Sequence, residues 1–99
     1  MIKIIYTTFP KEIQGIFAGG VQKLEEGYLI LIDSDRPKEE QDFTLRHELA
    51  HIALNHCETG SGALGEGWEQ REQEADSLAG RMTVDELMNM VSESIDVLS

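Results

Sequence analysis

Ninety-nine residues with 40% hydrophobic content suit one small globular domain, read here as residues 1–99. A net charge of −11, from 19 acidic residues against 8 basic ones, argues against direct nucleic-acid binding, since no lysine or arginine cluster could neutralise phosphates. No apolar run is long enough for a signal peptide or membrane span, and the single Cys57 cannot close an internal disulfide, so the expected location is the cytoplasm.

In chain order, Ile2-Lys3-Ile4-Ile5-Tyr6-Thr7-Thr8 is rich in β-formers and stops before Phe9-Pro10, which predicts a strand. Ile13 to Ala18 is ambiguous. Gly15 within it and Gly19-Gly20 after it favour a second strand entering a hairpin. Gly27-Tyr28-Leu29-Ile30-Leu31-Ile32-Asp33 is the clearest strand, ending at the turn-forming Asp33-Ser34-Asp35. Three strands with short links predict a small antiparallel meander.

Beyond Asp35 the period changes from strand to helix. Pro37 suits a helix start, with Ser34 or Asp35 near the cap and Glu39, Glu40 and Asp42 in the first turns. Phe43, His47, Ala50, His51 and Leu54 follow one stripe, and Leu45, Leu49, Ile52 and His56 another. A helix apolar on two sides is buried between layers. Glu58 to Gly67 is glycine-rich and reads as a loop leading to a second helix near Trp68 to Arg81. A third helix is signalled by Thr83 and Glu86 at capping-box spacing, followed by Val84, Leu87, Met88, Val91, Ile95 and Leu98 at helical intervals as a core stripe. The fold class predicted is therefore α+β, a three-stranded sheet packed on three helices.

The chemistry concentrates at His47-Glu48-Leu49-Ala50-His51. On a helix, positions four apart stack on one face, so both imidazoles can reach one zinc ion. Glu48 lies beside the metal, where a carboxylate can act as general base toward an activated water. A catalytic zinc takes three protein ligands. His56 follows His51 by five residues rather than six and lacks the glycine of a metzincin, so the third ligand is sought downstream. Glu72-Gln73-Glu74-Ala75-Asp76 places Glu72 and Asp76 one turn apart. Glu72 can bind the metal while Asp76 accepts a hydrogen bond from a ligand histidine and fixes its tautomer. Glu74 points about 200° away from Glu72 on an ideal helix and ranks second as a ligand.

These residues resemble the gluzincins and, more narrowly, the small ImmA/IrrE-type metallopeptidases of bacteria and their mobile elements. The resemblance runs from Tyr28 to Arg81. It includes the strand Tyr28–Asp33, the segment Asp42-Phe43-Thr44-Leu45-Arg46-His47-Glu48-Leu49-Ala50-His51-Ile52-Ala53-Leu54, and Glu72-x-x-Ala75-Asp76-x-x-Ala79. It implies a minimal zincin-like domain with zinc on His47, His51 and Glu72 and with Glu48 as base. It also implies a protein substrate, such as a transcriptional repressor. Leu78-Ala79-Gly80-Arg81-Met82-Thr83 departs from the phenylalanine and Leu-Met-Pro pattern usual there, a change that bears on substrate similarity rather than on the metal site.

The expected function is thus zinc-dependent endopeptidase, with a protein or peptide as substrate and a regulatory partner or second copy completing the cleft. The alternative is a non-catalytic zinc-containing module that binds protein. An intact Glu48 favours the enzyme, since a structural zinc has no use for a base. The strand ending at Asp33 is a candidate for edge pairing with an extended peptide. Tyr6, Tyr28 and His56 are candidates for stabilising an oxyanion. His56 also suits a helix C-terminus, Cys57 a passive small side chain, and Trp68 either core or a pocket wall. Calcium on Glu58 and Glu66 is a remote alternative.

Overall fold

The computed structural model describes residues 1–54 and 67–98. Its first strand, β1, is Ile2–Thr7, with Ile2 and Ile4 packed against the core. Pro10 then takes φ −54° and starts a single helical turn, α1, Lys11–Gln14. The Pro10 carbonyl accepts hydrogen bonds from Ile13 N (3.0 Å) and Gln14 N (3.1 Å), and the Ile13 carbonyl accepts from Ile16 N and Phe17 N (both 2.9 Å). This corrects the expected strand over Ile13 to Ala18. Its backbone bonds close locally, which leaves little for a sheet ladder. The second strand, β2, starts six residues later than expected, at Gly19–Leu24.

A two-residue turn, Glu25-Glu26, joins β2 to β3, Gly27–Asp33. Gly27 (φ 155°) lies against the Met1 carbonyl with no room for a Cβ, and that carbonyl accepts from Tyr28 N at 2.9 Å. The strand order is β1-β3-β2. β2 pairs antiparallel to β3, with Val21 opposite Ile30, but β1 pairs parallel to it, with Ile4 opposite Ile30. The sheet is therefore mixed, a correction to the predicted meander. Residues 8–18 carry the chain across the sheet end, so β2 begins two strand spacings (about 9.5 Å) from β1. The slot between them receives β3, whose unbroken Tyr28–Ile32 apolar run suits the strand with neighbours on both sides.

A buried Asp33 turns the chain from the sheet into the long helix. Its Oδ1 accepts from Asp35 N (3.1 Å) and its Oδ2 lies 3.6 Å from Arg36 Nε. Helix α2 is Lys38–Ala53 with Pro37 at the cap position and no side-chain cap. Neither Ser34 nor Asp35 caps it; instead Gln41 Nε2 reaches back to donate to the carbonyls of Arg36 (2.6 Å) and Ser34 (3.2 Å). α2 packs on β2 and β3 on one side and on two further helices on the other. Those helices are α3, Trp68–Arg81, and α4, Val84–Leu98. The capping box that opens α4 is formed in both directions, Glu86 N to Thr83 Oγ1 (3.2 Å) and Thr83 N to Glu86 Oε1 (2.9 Å).

One apolar cluster links the layers. Tyr28, Ile30 and Ile32 come from the sheet, Leu45, Leu49, Ala50 and Ile52 from α2, Ala75 from α3, and Leu87 and Val91 from α4. α2 is thus sandwiched as its two apolar sides require, and the α+β class holds. The expected loop over Glu58 to Gly67 falls, up to Glu66, outside the described residues, as do His56 and Cys57. The side chains of Trp68, Ile95 and Leu98 lie outside them too.

Candidate metal centre

The site is built where α3 crosses α2. His47 and His51 lie one turn apart on α2, their rings edge to face with centroids 4.6 Å apart and their Nε2 atoms at 3.0 Å. Glu72 Oε2 of α3 comes to 2.7 Å from His47 Nε2 and 3.2 Å from His51 Nε2. One turn along α3, Asp76 Oδ1 lies 2.7 Å from the other nitrogen of His47, Nδ1. The carboxylate accepts there, so Nδ1 carries a proton, and in the neutral imidazole Nε2 turns a lone pair toward the cluster.

That assignment decides what the cluster can hold. A lone pair on His47 Nε2 and a carboxylate oxygen on Glu72 face one another, with His51 Nε2 beside them, all within 3.2 Å. Electron-rich atoms so close repel unless a cation or shared protons lie among them. Tetrahedral bonds of zinc length would separate ligand atoms by about 3.3 Å. The observed 2.7 to 3.2 Å is a slightly contracted version of that triangle. His47, His51 and Glu72 thus fit a divalent metal, and this is the triad whose donor atoms converge among the described residues. The histidine side chains are mostly covered (17% and 14% exposed) and Glu72 is one-third exposed, so the centre opens to solvent on one side.

The remaining candidates separate cleanly. Glu48 is buried (7% exposed) on the turn between the two histidines. Burial pushes its pKa from 4.5 up to about 7; His47 opposes the rise and Glu72 adds to it. Glu74 is exposed on α3 and lines a shallow groove with Leu54, Gln73 and Ser77, away from the triad. Tyr28 is buried in the core cluster, and Tyr6 is half-exposed on the edge strand β1.

Two features escaped the sequence reading. Ala75 and Ala79 are fully buried, and their small side chains let α3 approach α2 closely. Their spacing with Glu72 and Asp76 (0, 3, 4 and 7) is one helical stripe, which the sequence reading quoted as a family motif without the packing role of its alanines. Arg46, beside His47, donates through Nη1 to the Ala79 carbonyl at 2.6 Å. Nothing in the sequence pairs those two residues, because the contact exists only once the helices cross.

A mixed sheet backed by a helix bearing H-E-x-x-H, with a glutamate delivered from the next helix, is the arrangement of a metal-dependent peptidase. Residues 2–88 match the M78 peptidase family, IrrE N-terminal-like domain, and the chain belongs to that family. The match extends the Tyr28–Arg81 resemblance to β1 and into α4. No curated protein and no solved structure shows significant similarity to the chain. Members of this family are metal-dependent peptidases, so proteins or peptides are its substrate class. No helix among the described residues is long and apolar enough to cross a membrane.

Proposed function

We propose that residues 1–99 form one zincin-like domain that works as a zinc endopeptidase on a cytoplasmic protein, with Glu48 as its general base. The observation that carries this reading is the convergence of three lone-pair atoms on His47, His51 and Glu72 beside a buried carboxylate. Two imidazoles and one carboxylate suit zinc, and three protein ligands are the number typical of catalytic rather than structural sites. When bound there, the ion supplies a Lewis acid that acidifies water and polarises a carbonyl.

The chain's own residues do the rest. Asp76 holds His47 in the tautomer that leaves Nε2 free for ligation. Glu48 takes a proton from the attacking water onto its carboxylate and passes it to the amine nitrogen of the leaving peptide. Burial raises the Glu48 pKa in the metal-free chain and so strengthens its carboxylate as a base.

The edge-pairing expectation moves to another strand. β3 is paired on both sides and cannot accept a peptide. β2 is an edge strand that packs on α2, and a Cβ on its Gly19 would meet Thr44 Cγ2 at 2.5 Å, one turn before Glu48. An extended substrate paired with β2 would therefore run close to the metal centre. A repressor protein remains the substrate that the family resemblance favours.

The test is metal analysis joined to proteolysis of a disordered or co-encoded protein. One zinc per chain, with cleavage abolished in Glu48→Gln, supports the peptidase. Zinc retained with no cleavage of any candidate points instead to a protein-binding module.

A further inference from the structure

We infer that Arg46 is a positioning residue that locks α3 in register with α2 and so sets the fit of Glu72 to the two histidines; this rests on the metal-centre reading above. Four residues of α3 form the stripe that faces α2: Glu72, Ala75, Asp76 and Ala79. Two of them are alanines. A methyl surface permits close approach but by itself resists sliding weakly; among the described side chains of α3, Leu78 is the large apolar one packed against the core. A slip of α3 by a fraction of a turn, 5.4 Å in full, would carry Glu72 Oε2 out of ligand range.

Arg46 adds a directional stop. The Ala79 carbonyl is among the last four of α3 and has no partner within its own helix. Arg46 Nη1 donates to it at 2.6 Å, bringing a positive charge to the negative end of the helix dipole. The guanidinium is itself fixed on two further sides. Its Nε donates to Asp42 Oδ2 at 3.0 Å, one turn earlier on α2, and its Cζ lies over the Phe43 ring, 5.3 Å from the centroid. The tie therefore starts one residue from the ligand His47 and ends one turn beyond Asp76. A lysine carries a point charge without the planar fork, so it cannot serve Asp42 and Ala79 in the same rigid geometry.

The experiment is zinc binding by competition with a chromophoric chelator, alongside the visible absorption of the cobalt-loaded protein. It compares the full-length wild type, Arg46→Met and Arg46→Lys, with circular dichroism confirming that each is folded. Arg46→Met keeps the apolar stem and is expected to bind zinc about tenfold more weakly and to alter the cobalt bands, with Arg46→Lys in between. Zinc affinity and cobalt bands like those of the wild type in folded Arg46→Met would overturn the inference, whatever its melting temperature, because a purely structural role moves only the latter. If Arg46→Met does not fold, Asp42→Ala removes the acceptor that anchors the guanidinium without removing the guanidinium itself. A several-fold loss of affinity there supports the inference, and no loss overturns it. A wild type that takes up no metal would instead bring down the metal-centre reading, and this inference with it.

Discussion

Glu48 is the residue whose chemistry and energetics pull in opposite directions. Burial that lifts its pKa to about 7 suits proton transfer but costs stability whenever the carboxylate is charged. The sign follows from linkage. Between pH 4.5 and about 7 the folded chain holds a proton on Glu48 that the unfolded chain has lost, so stability falls as pH rises through that window. The metal-free protein should therefore lose on the order of 3 kcal/mol from this group between pH 4 and 8. Denaturant titrations at the two pH values check this: Glu48→Gln should flatten the difference and be the more stable of the two proteins at pH 8, while lacking peptidase activity. Asp76→Asn keeps the size of the side chain but not its charge, weakening the hold on the His47 Nδ1 proton. Zinc affinity should drop by about 10- to 100-fold, read by chelator competition, with little change in fold.

At the scale of elements, the three long helices were legible and the strand pairing was not. Trp68–Arg81 and the capping box at Thr83 follow from periodicity and cap chemistry, which are local properties. Thr83→Ala should remove the Oγ1 acceptor for Glu86 N and cost about 1 kcal/mol, seen as a lower urea midpoint with unchanged slope. The β1–β3 pairing joins residues far apart in sequence, and the antiparallel expectation failed because short links say nothing of strand order. The same blindness put a strand at Ile13 to Ala18, where the Pro10 carbonyl closes a turn instead. β2 offers its own test. Gly19→Val would drive its side chain into Thr44, displacing the start of β2 from α2, and should lower both thermal stability and peptide cleavage.

For the whole molecule, metal and charge are the levers. The triad draws on two helices, so an ion bound there stabilises only the folded chain. Removing it with a chelator should lower the melting temperature, and added zinc should raise it with the logarithm of its free concentration once the site is near saturation. His51→Ala should abolish that dependence. A net charge of −11 should attract basic peptides over long range, so their capture should weaken between low salt and 0.5 M salt more than that of neutral peptides.

By itself the sequence determined the helical H-E-x-x-H, the glutamate and aspartate one turn apart on the next helix, and the existence, though not the central place, of the apolar strand Gly27–Asp33. Each is a pattern of near neighbours obeying a fixed period. The tertiary structure decided that Glu72 rather than Glu74 reaches the histidines, that β2 rather than β3 offers an edge, and that Arg46 caps α3. Those outcomes depend on where elements cross, which is set by packing around Leu49, Ala75 and Leu87 and is written in no single segment.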